Sequence, residues 1–589
     1  MRRRWSLPLS FVVVLILLLL WNALLGAHFW LPDGRPVAFF VPVYESLAVV
    51  ALLSVVTLLG RVREATRAGG GRDSKGSGRR GRAATVVIGA IAGYLLAYSL
   101  AETLFQYIYA RPFLPRTDLL AIRSGLFLIL GRIGDAMDIV HPVVTVFLFV
   151  ATAALGVGLA AGSRALLSRT RGSLPIIAGV ALLATVGYAV LGPPRPVAYL
   201  AVDGWIQTGG LEFVEIETPE ARDDTAPGAT DGGTVGEGVT VPEEPVVVHT
   251  FPGILDRDIY VFVLEAYGYA TYSRDFFADA FRPVRSRLRE ALAEKGYQVR
   301  TSFLRSPVAG GFSWLAEATL FTGQWIPTTE AFSELYEIEE LPSLTRMLYE
   351  GGYYTLTVRP GTVHDSWPEG WEMYRFEESM IAHDGDFDFD GPMFSYVWIT
   401  DQFAIWAGHN RIQELTAPGG EAEDRPVFAH FQLVSSHTPF NRIPPIIEDW
   451  EDLEGGDIYW EREDEIQTFD NTWTTGNEWH EGYTAAVSHS LDVITKYVTD
   501  LLDTERDPII VILGDHQAQR PIRENRAHLS VPIHVASRDP EILGLFAAAG
   551  YDSGMTSSLP PPHPDMSTFF RTFASIAHSP PIPPELEAR

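Results

Sequence analysis

Apolar residues in the first third of the chain run on for lengths that a soluble core does not require. Five stretches, near 9–31, 37–60, 84–107, 139–162 and 174–192, are long enough to cross a bilayer, which takes ~20 residues of helix. The first follows Arg2, Arg3 and Arg4 and has no small-residue cleavage site, so it is expected to stay as an anchor. The segment 116–138 is apolar only in part; Arg123, Arg132, Asp135 and Asp138 interrupt it, and an interfacial helix is expected there in place of a further span. Residues 193–250 open on Pro193, Pro194 and Pro196 and turn rich in Gly, Thr, Asp, Glu and Pro from 218 to 245, a composition that buries no core and reads as a tether. Beyond 251 the pattern changes. Short β-branched and aromatic runs, at 259–264, 297–303, 353–358, 428–434, 509–513 and 532–536, alternate with helix-like segments. Most of these runs are apolar throughout, which predicts a sheet covered by helices on both faces. The expected architecture is a five-helix transmembrane bundle (1–192), a linker (193–250) and an α/β domain (251–589).

Charge separates the two ends of the chain. Residues 1–194 carry a net +11 and residues 195–589 a net −39, so the C-terminal part repels nucleic acid and no such partner is expected. The loop 61–82 holds Arg61, Arg63, Arg67, Arg72, Lys75, Arg79, Arg80 and Arg82, and the loop after the fourth span holds Arg164, Arg169 and Arg171. Basic loops belong in the cytoplasm. Five crossings then place everything after Gly192 outside, as the extracytoplasmic domain of a multi-pass plasma-membrane protein. Cysteine is absent, which excludes disulfides, cysteine-ligated metals and thiol nucleophiles and leaves oxygen and nitrogen ligands for any metal. Gly156, Gly158 and Ala161 have the spacing of a dinucleotide fingerprint, but no strand precedes them and they lie within a span, so close helix packing is expected instead. Glu102 is a lone acid in the third span, placed either along a headgroup path or near the outer interface.

In a sheet of this kind ligands gather at the strand C-termini. Glu265 follows the first run directly, and Asp515-His516 follow the run at 509–513 through Gly514. Carboxylate and imidazole are donors suited to Mn²⁺, Mg²⁺ or Zn²⁺. Between them, Gly310-Gly311-Phe312 leads into a helix-like run that puts Ser313 at a helix start, where amides and dipole favour an anion. A hydroxyl on a divalent metal there would be a nucleophile without a neighbouring base. His437 follows the run at 428–434 and can face the same mouth, to bind an oxyanion or protonate a leaving group. Each residue also has a plainer role: Glu265 or Ser313 as an N-cap, with Glu317 one turn on; Asp515 in a turn; His437 as a structural strand-end histidine. The set, in the order Glu265, Ser313, His437, Asp515-His516, outweighs its members.

That set resembles the sulfatase/alkaline-phosphatase-like superfamily and, within it, the membrane-anchored lipoteichoic acid synthase-like, phosphoglycerol transferase-type enzymes. The resemblance covers roughly 255–540 and the N-terminal spans, and extends to Leu341-Pro342-Ser343-Leu344, Glu350-Gly351-Gly352-Tyr353, Trp398-Ile399-Thr400-Asp401, and Tyr483 with Asp492. It implies an alkaline-phosphatase-like mixed sheet between helices and one divalent metal, typically Mn²⁺, on Glu265, Ser313, Asp515 and His516. It also implies Ser313 in the place of the threonine nucleophile, His437 as a substrate-binding residue, and a covalent phospho-Ser intermediate. The donor would be a membrane phospholipid and the acceptor a glycan, polyol or glycolipid. The chain departs from the pattern at Trp371-Glu372-Met373, where a Trp-Asn-Arg headgroup grip is usual and Arg359 or Arg375 stands as a replacement, and at Arg520, where a small polar residue usually follows the Asp-His pair; all three arginines are expected to bind substrate. The acidic stretch 441–482 reads as a solvated insertion, with a lid as the alternative, and His528 as a structural residue, with a second metal as the alternative. Two other functions compete. Hydrolysis of phosphate or sulfate esters is one, though Ser313-Trp314-Leu315-Ala316-Glu317 lacks the Pro and Arg of a formylglycine site. An inactive membrane-tethered binding module is the other, against which the complete ligand set speaks.

Overall fold

The structure, a computed structural model, describes residues 12, 16–21, 44–68, 75–108, 113, 118, 137–169 and 249–579, the last without 363–372, 383–384, 395–397, 472–476, 520–521 and 524–528. Contacts divide the chain into two units, Met1–Thr208 and Gly209–Arg589.

The first unit contains helices α1 (Tyr44–Ala68), α2 (Lys75–Ile108) and α3 (Met137–Leu167). Glycine sets the α2–α3 approach: a Cβ at Gly89, Gly93 or Gly156 would overlap the facing backbone. Gly156 therefore serves helix packing, as small residues do between apolar helices. Glu102 is buried and accepts a hydrogen bond from the Phe113 amide at 2.8 Å. Among the described residues two helices are long and apolar enough to cross a membrane, in the windows Gly81–Thr103 and Val150–Leu167, while the apolar part of α1, Ala48–Leu59, is shorter. The five-helix expectation is thus met only in part. The stretch 174–192, most of 9–31, nearly all of 116–138 and the tether up to 248 lie outside the described residues.

The second unit is built on an eight-stranded sheet: β1 (Ile259–Leu264), β2 (Gln298–Arg305), β3 (Tyr354–Arg359), β4 (Glu378–Ile381), β5 (Val427–Leu433), and, after a small β6–β7 hairpin (Arg442–Ile443, Gln467–Thr468), β8 (Ile509–Gly514), β9 (Ser530–Ser537) and β10 (Asp552–Ser553). Its order is β10-β2-β9-β8-β1-β5-β3-β4. Strands β8, β1, β5, β3 and β4 run parallel, while β9 is antiparallel to both β8 and β2. The sheet is mixed, as the sequence resemblance implies. All six expected strands form; β4 and β10 are short additions at its edges.

Side chains alternate across a strand, and both faces of the central strands are covered. Tyr260, Phe262 and Leu264 join one core with α4 (Asp275–Glu294), α7 (Asp401–Thr416) and α8 (Trp479–Asp500), through Phe277, Phe281, Phe403, Ile412, Val487 and Ile494. Ile259, Val261 and Val263 are also buried, on the face of α5 (Ser313–Thr322), α6 (Leu344–Glu350), α9 (Pro540–Ala548) and α10 (Thr568–Ala577). Two buried faces explain why the strands read as unbroken apolar runs. The acidic insertion is docked as well as solvated. Ile447, Trp450, Leu453 and Tyr459 enter the core, Gln402 of α7 holds both backbone groups of Ile447, and the carboxylates of 451–465 stay exposed.

Several histidines are sealed in this domain. Burial pushes His489 down to about 4 and His534 down to about 3, and holds His430 well below the ordinary imidazole range. They are neutral when folded and take up protons on unfolding below pH ~6.5. Stability is therefore full above that value and falls as the pH drops towards the folded pKa, each group adding a slope of about 1.4 kcal/mol per pH unit. Denaturant melts of the full chain in detergent from pH 7.5 to 4.5 should show this decline, and His489→Leu should flatten it by about that increment.

Candidate functional site

The parallel strands end together at Leu264, Arg359, Leu433 and Gly514, and the loops that leave them form one mouth. Glu265 is the first residue beyond β1. Its amide donates to the Leu433 carbonyl at 2.9 Å and its carbonyl accepts from Ser436 Oγ at 2.6 Å, which fixes its backbone against the end of β5. Ala266 then turns with φ 59°, a conformation that a residue with a Cβ adopts at a cost. Asp515 accepts from the Ala266 amide with Oδ1 at 2.9 Å and from the His516 amide at 2.5 Å, and turns Oδ2 towards His516 Nε2, 3.5 Å away. Gly514 is needed here by space: a Cβ would overlap the Tyr267 carbonyl oxygen.

His516 lies 3.1 Å through Nδ1 from the Gln517 carbonyl, a group that only accepts. Nδ1 therefore carries a proton, and Nε2 faces Glu265 Oε1 at 3.3 Å. Glu265, Asp515 and His516 are all buried, with ligand atoms within 4.8 Å of one another. Burial and then the charge of Asp515 hold Glu265 well above the usual carboxylate range. Two acids and an imidazole at that spacing are the donor set of a divalent cation.

Ser313 completes the group. The 310–312 turn is tied to the 515–517 loop by the Gly310 amide, which donates to the Gln517 carbonyl at 2.7 Å. Gly310, Gly311 and Phe312 all have positive φ (69°, 137° and 68°), and this reversal starts α5 at the mouth. Phe312, not Ser313, holds the N-cap position. Ser313 Oγ donates to Glu265 Oε2 at 2.9 Å and lies 3.4 Å from His516 Nε2. The N-cap alternative for Ser313 is thereby replaced by a side chain turned into the cluster, on a residue that remains partly accessible.

His437 sits on the turn after β5. Its Nδ1 faces the Thr438 carbonyl at 2.7 Å, so Nδ1 is protonated and Nε2 bears the lone pair. One edge stays accessible, but burial of the ring pushes the pKa down to about 4. The ring is neutral at pH 7.

The three arginines fare differently. Arg359 ends β3 at the mouth but is buried and donates to Glu317 Oε2 at 2.5 Å, so it serves a carboxylate of the protein instead of standing ready for a headgroup. Arg375 is at the opposite end of the sheet. Its carbonyl accepts from Thr355 at the start of β3, and its guanidinium lies over the Tyr349 ring at 4.2 Å. Parallel pairing of β3 and β4 explains this, because the residue just before β4 must lie at the strand N-termini. Arg520 and His528 lie outside the described residues, as does most of the Trp371-Glu372-Met373 stretch.

One organising residue has no assigned role in the sequence reading. Asp401, at the start of α7, accepts from the Val434 and Ser435 amides at 2.7 and 2.8 Å and from Ser490 Oγ at 2.6 Å. It shapes the turn that carries Ser436 and His437. Tyr483 does the same beyond Glu265, donating to the Ala266 carbonyl at 2.9 Å.

No family model matches the chain, and no curated protein matches it. Among solved structures it is similar to the lipoteichoic acid synthase LtaP from Listeria monocytogenes (18% identity over 51% of this chain and 69% of that one, TM-score 0.35). It is also similar to the C-terminal periplasmic domain of EcEptC from Escherichia coli in complex with Zn (12%, 55% and 82%, TM-score 0.34) and to the Streptococcus pyogenes phosphoglycerol transferase GacH in complex with sn-glycerol-1-phosphate (12%, 56% and 87%, TM-score 0.34). At that level of likeness the reading of the site rests on its own side chains.

Asp401→Ala removes three hydrogen bonds to a buried carboxylate and should cost at least about 3 kcal/mol of stability. Denaturant melts measure it. A loss below about 1 kcal/mol would show that the 434–437 turn does not depend on Asp401.

Proposed function

We propose that this chain is a metal-dependent extracytoplasmic transferase. In this reading it moves a phosphorylated headgroup, such as phosphoglycerol, from a membrane phospholipid to a glycan, polyol or glycolipid acceptor through a phospho-Ser313 intermediate. The observation that carries the reading is the position of Ser313 Oγ: at the first residue of α5, hydrogen-bonded to Glu265 and beside His516 and Asp515. The ligand set would be Glu265, Ser313, Asp515 and His516, with Mn²⁺ favoured and Zn²⁺ or Mg²⁺ compatible with the same donors. When bound, the ion supplies Lewis acidity that lowers the pKa of the hydroxyl and the charge on the phosphoryl oxygens.

The protein's own groups supply the rest. Ser313 Oγ attacks phosphorus as its proton leaves along the hydrogen bond to Glu265 Oε2, and the bond from phosphorus to the lipid glycerol oxygen breaks, releasing a diacylglycerol-type alcohol that takes up a proton. An acceptor hydroxyl then attacks the same phosphorus, its proton passing to His437 Nε2 and on to solvent, which had supplied the proton of the leaving alcohol, and the Ser313–phosphorus bond breaks as Glu265 returns the proton to Ser313 Oγ. The first-turn amides of α5 face the transferred group. Helices long and apolar enough to cross a membrane favour a lipid donor, because a tethered site meets its substrate at high local concentration. Residues 193–250 would be the tether and 251–589 the catalytic domain, outside the plasma membrane.

Liposomes containing the full chain test the reading. Wild-type protein should yield diacylglycerol-type lipid and a headgroup-modified acceptor. Ser313→Ala should lower turnover about a thousandfold or more while changing stability by less than about 1 kcal/mol. Free headgroup phosphate, formed at the same rate with or without acceptor, would make the protein a hydrolase. Activity retained in Ser313→Ala would end the nucleophile assignment.

A further inference from the structure

Glu317 lies one turn beyond Ser313 on α5 and is buried, yet the chemistry above makes no use of it. Both of its carboxylate oxygens are held from the sheet. Arg359 Nη2, on the last residue of β3, donates to Oε2 at 2.5 Å, and Gln432 Nε2, one residue before the end of β5, donates to Oε1 at 2.9 Å. Two strands thus grip the helix one turn beyond the residue read as its nucleophile. The side chains of Arg359 and Glu317 are each only 2% exposed. A buried ion pair is a poor way to gain stability, since well-packed apolar side chains of the same volume often do as well or better. Its use has to be sought in what lies beside it.

Beside it is the cluster of Glu265 and Asp515. Glu317 follows Ser313 by one turn on α5, and its partner Gln432 pairs with Val263, two residues before Glu265. A third unbalanced carboxylate there would take the local formal charge from −2 to −3; Arg359 returns it to −2, the charge that one divalent cation neutralises.

We infer that Glu317 and Arg359 form a charge-balancing pair beside the metal site, which sets the site's affinity for a single divalent cation and holds α5 against the sheet. Both are positioning residues, and neither touches the reacting atoms. The inference rests on the reading of Glu265, Asp515 and His516 as metal ligands. It assigns Arg359 to the protein's own electrostatics, and so separates it from a headgroup-binding role.

Mn²⁺ uptake by the full chain in detergent, followed by the loss of the free-ion electron paramagnetic resonance signal, tests the pair without turnover. Glu317→Gln removes the negative charge that balances Arg359 beside the site and should weaken Mn²⁺ binding about tenfold or more. The double variant Glu317→Gln/Arg359→Gln restores the local charge and should return affinity to within about threefold of wild type, although the original ion pair is gone. A purely structural role predicts the reverse order, with the double variant worse than either single one. Affinity unchanged in Glu317→Gln, or weaker in the double variant than in Glu317→Gln, overturns the inference. If Glu317→Gln does not fold, Arg359→Lys and Arg359→Gln carry the comparison: only the lysine variant should match wild type, and equal affinities in the two overturn the pair. Wild-type chain that takes up no Mn²⁺ ends the metal-site reading itself, and this inference with it.

Discussion

Two buried carboxylates and an imidazole within 4.8 Å of one another repel unless a cation joins them. Much of the mouth can be understood as the means of holding them there. The carboxylates leave adjacent parallel strands, whose register sets Leu264 opposite Gly514, so that Glu265 and Asp515 emerge side by side. A sheet buried on both faces is stiff enough to keep that spacing, and its strands are apolar for that reason. The backbone carries part of the cost. Ala266, Phe312 and Phe440 all have positive φ at the mouth, where a residue with a Cβ is strained.

A second layer keeps the cluster in place. Asp515 uses one oxygen to bind two amides and points the other inward; His516 fixes its tautomer on the Gln517 carbonyl; Asp401 and Tyr483 shape the turns after β5 and β1. Groups of this kind orient ligands and tune their basicity. Asp401 and Tyr483 come from helices α7 and α8, on the face of the sheet opposite α5, so the two helical layers meet at the site through the strand ends.

Much of this was legible in the sequence, for physical reasons. A strand buried on both faces announces itself as an apolar run, and a functional residue at its C-terminus follows immediately in the chain, which is why Glu265, Asp515 and His516 could be read directly. Ser313 could be read because glycines must precede a helix that starts so abruptly. Side chains that meet across distant segments leave no such signature. Arg359 and Glu317 are separated by 42 positions and Asp401 and Val434 by 33, and nothing in their local sequence tells a buried partner from a solvated charge. Arg375 was misplaced because its neighbour β4, a four-residue edge strand, gives too short a pattern to show at which end of the sheet the residue falls. Helix spacing did place Glu317 on the same face of its helix as Ser313, one turn on, but not the buried partners that hold it.

The central claim is that Ser313 becomes covalently phosphorylated by a lipid headgroup. The direct measurement is tandem mass spectrometry of the Ser313 peptide after the full chain, loaded with Mn²⁺, is incubated with mixed phospholipids and no acceptor. The account predicts a headgroup-phosphate mass increment on Ser313 that disappears when acceptor is added. An unmodified Ser313 under conditions in which lipid is being turned over would contradict it.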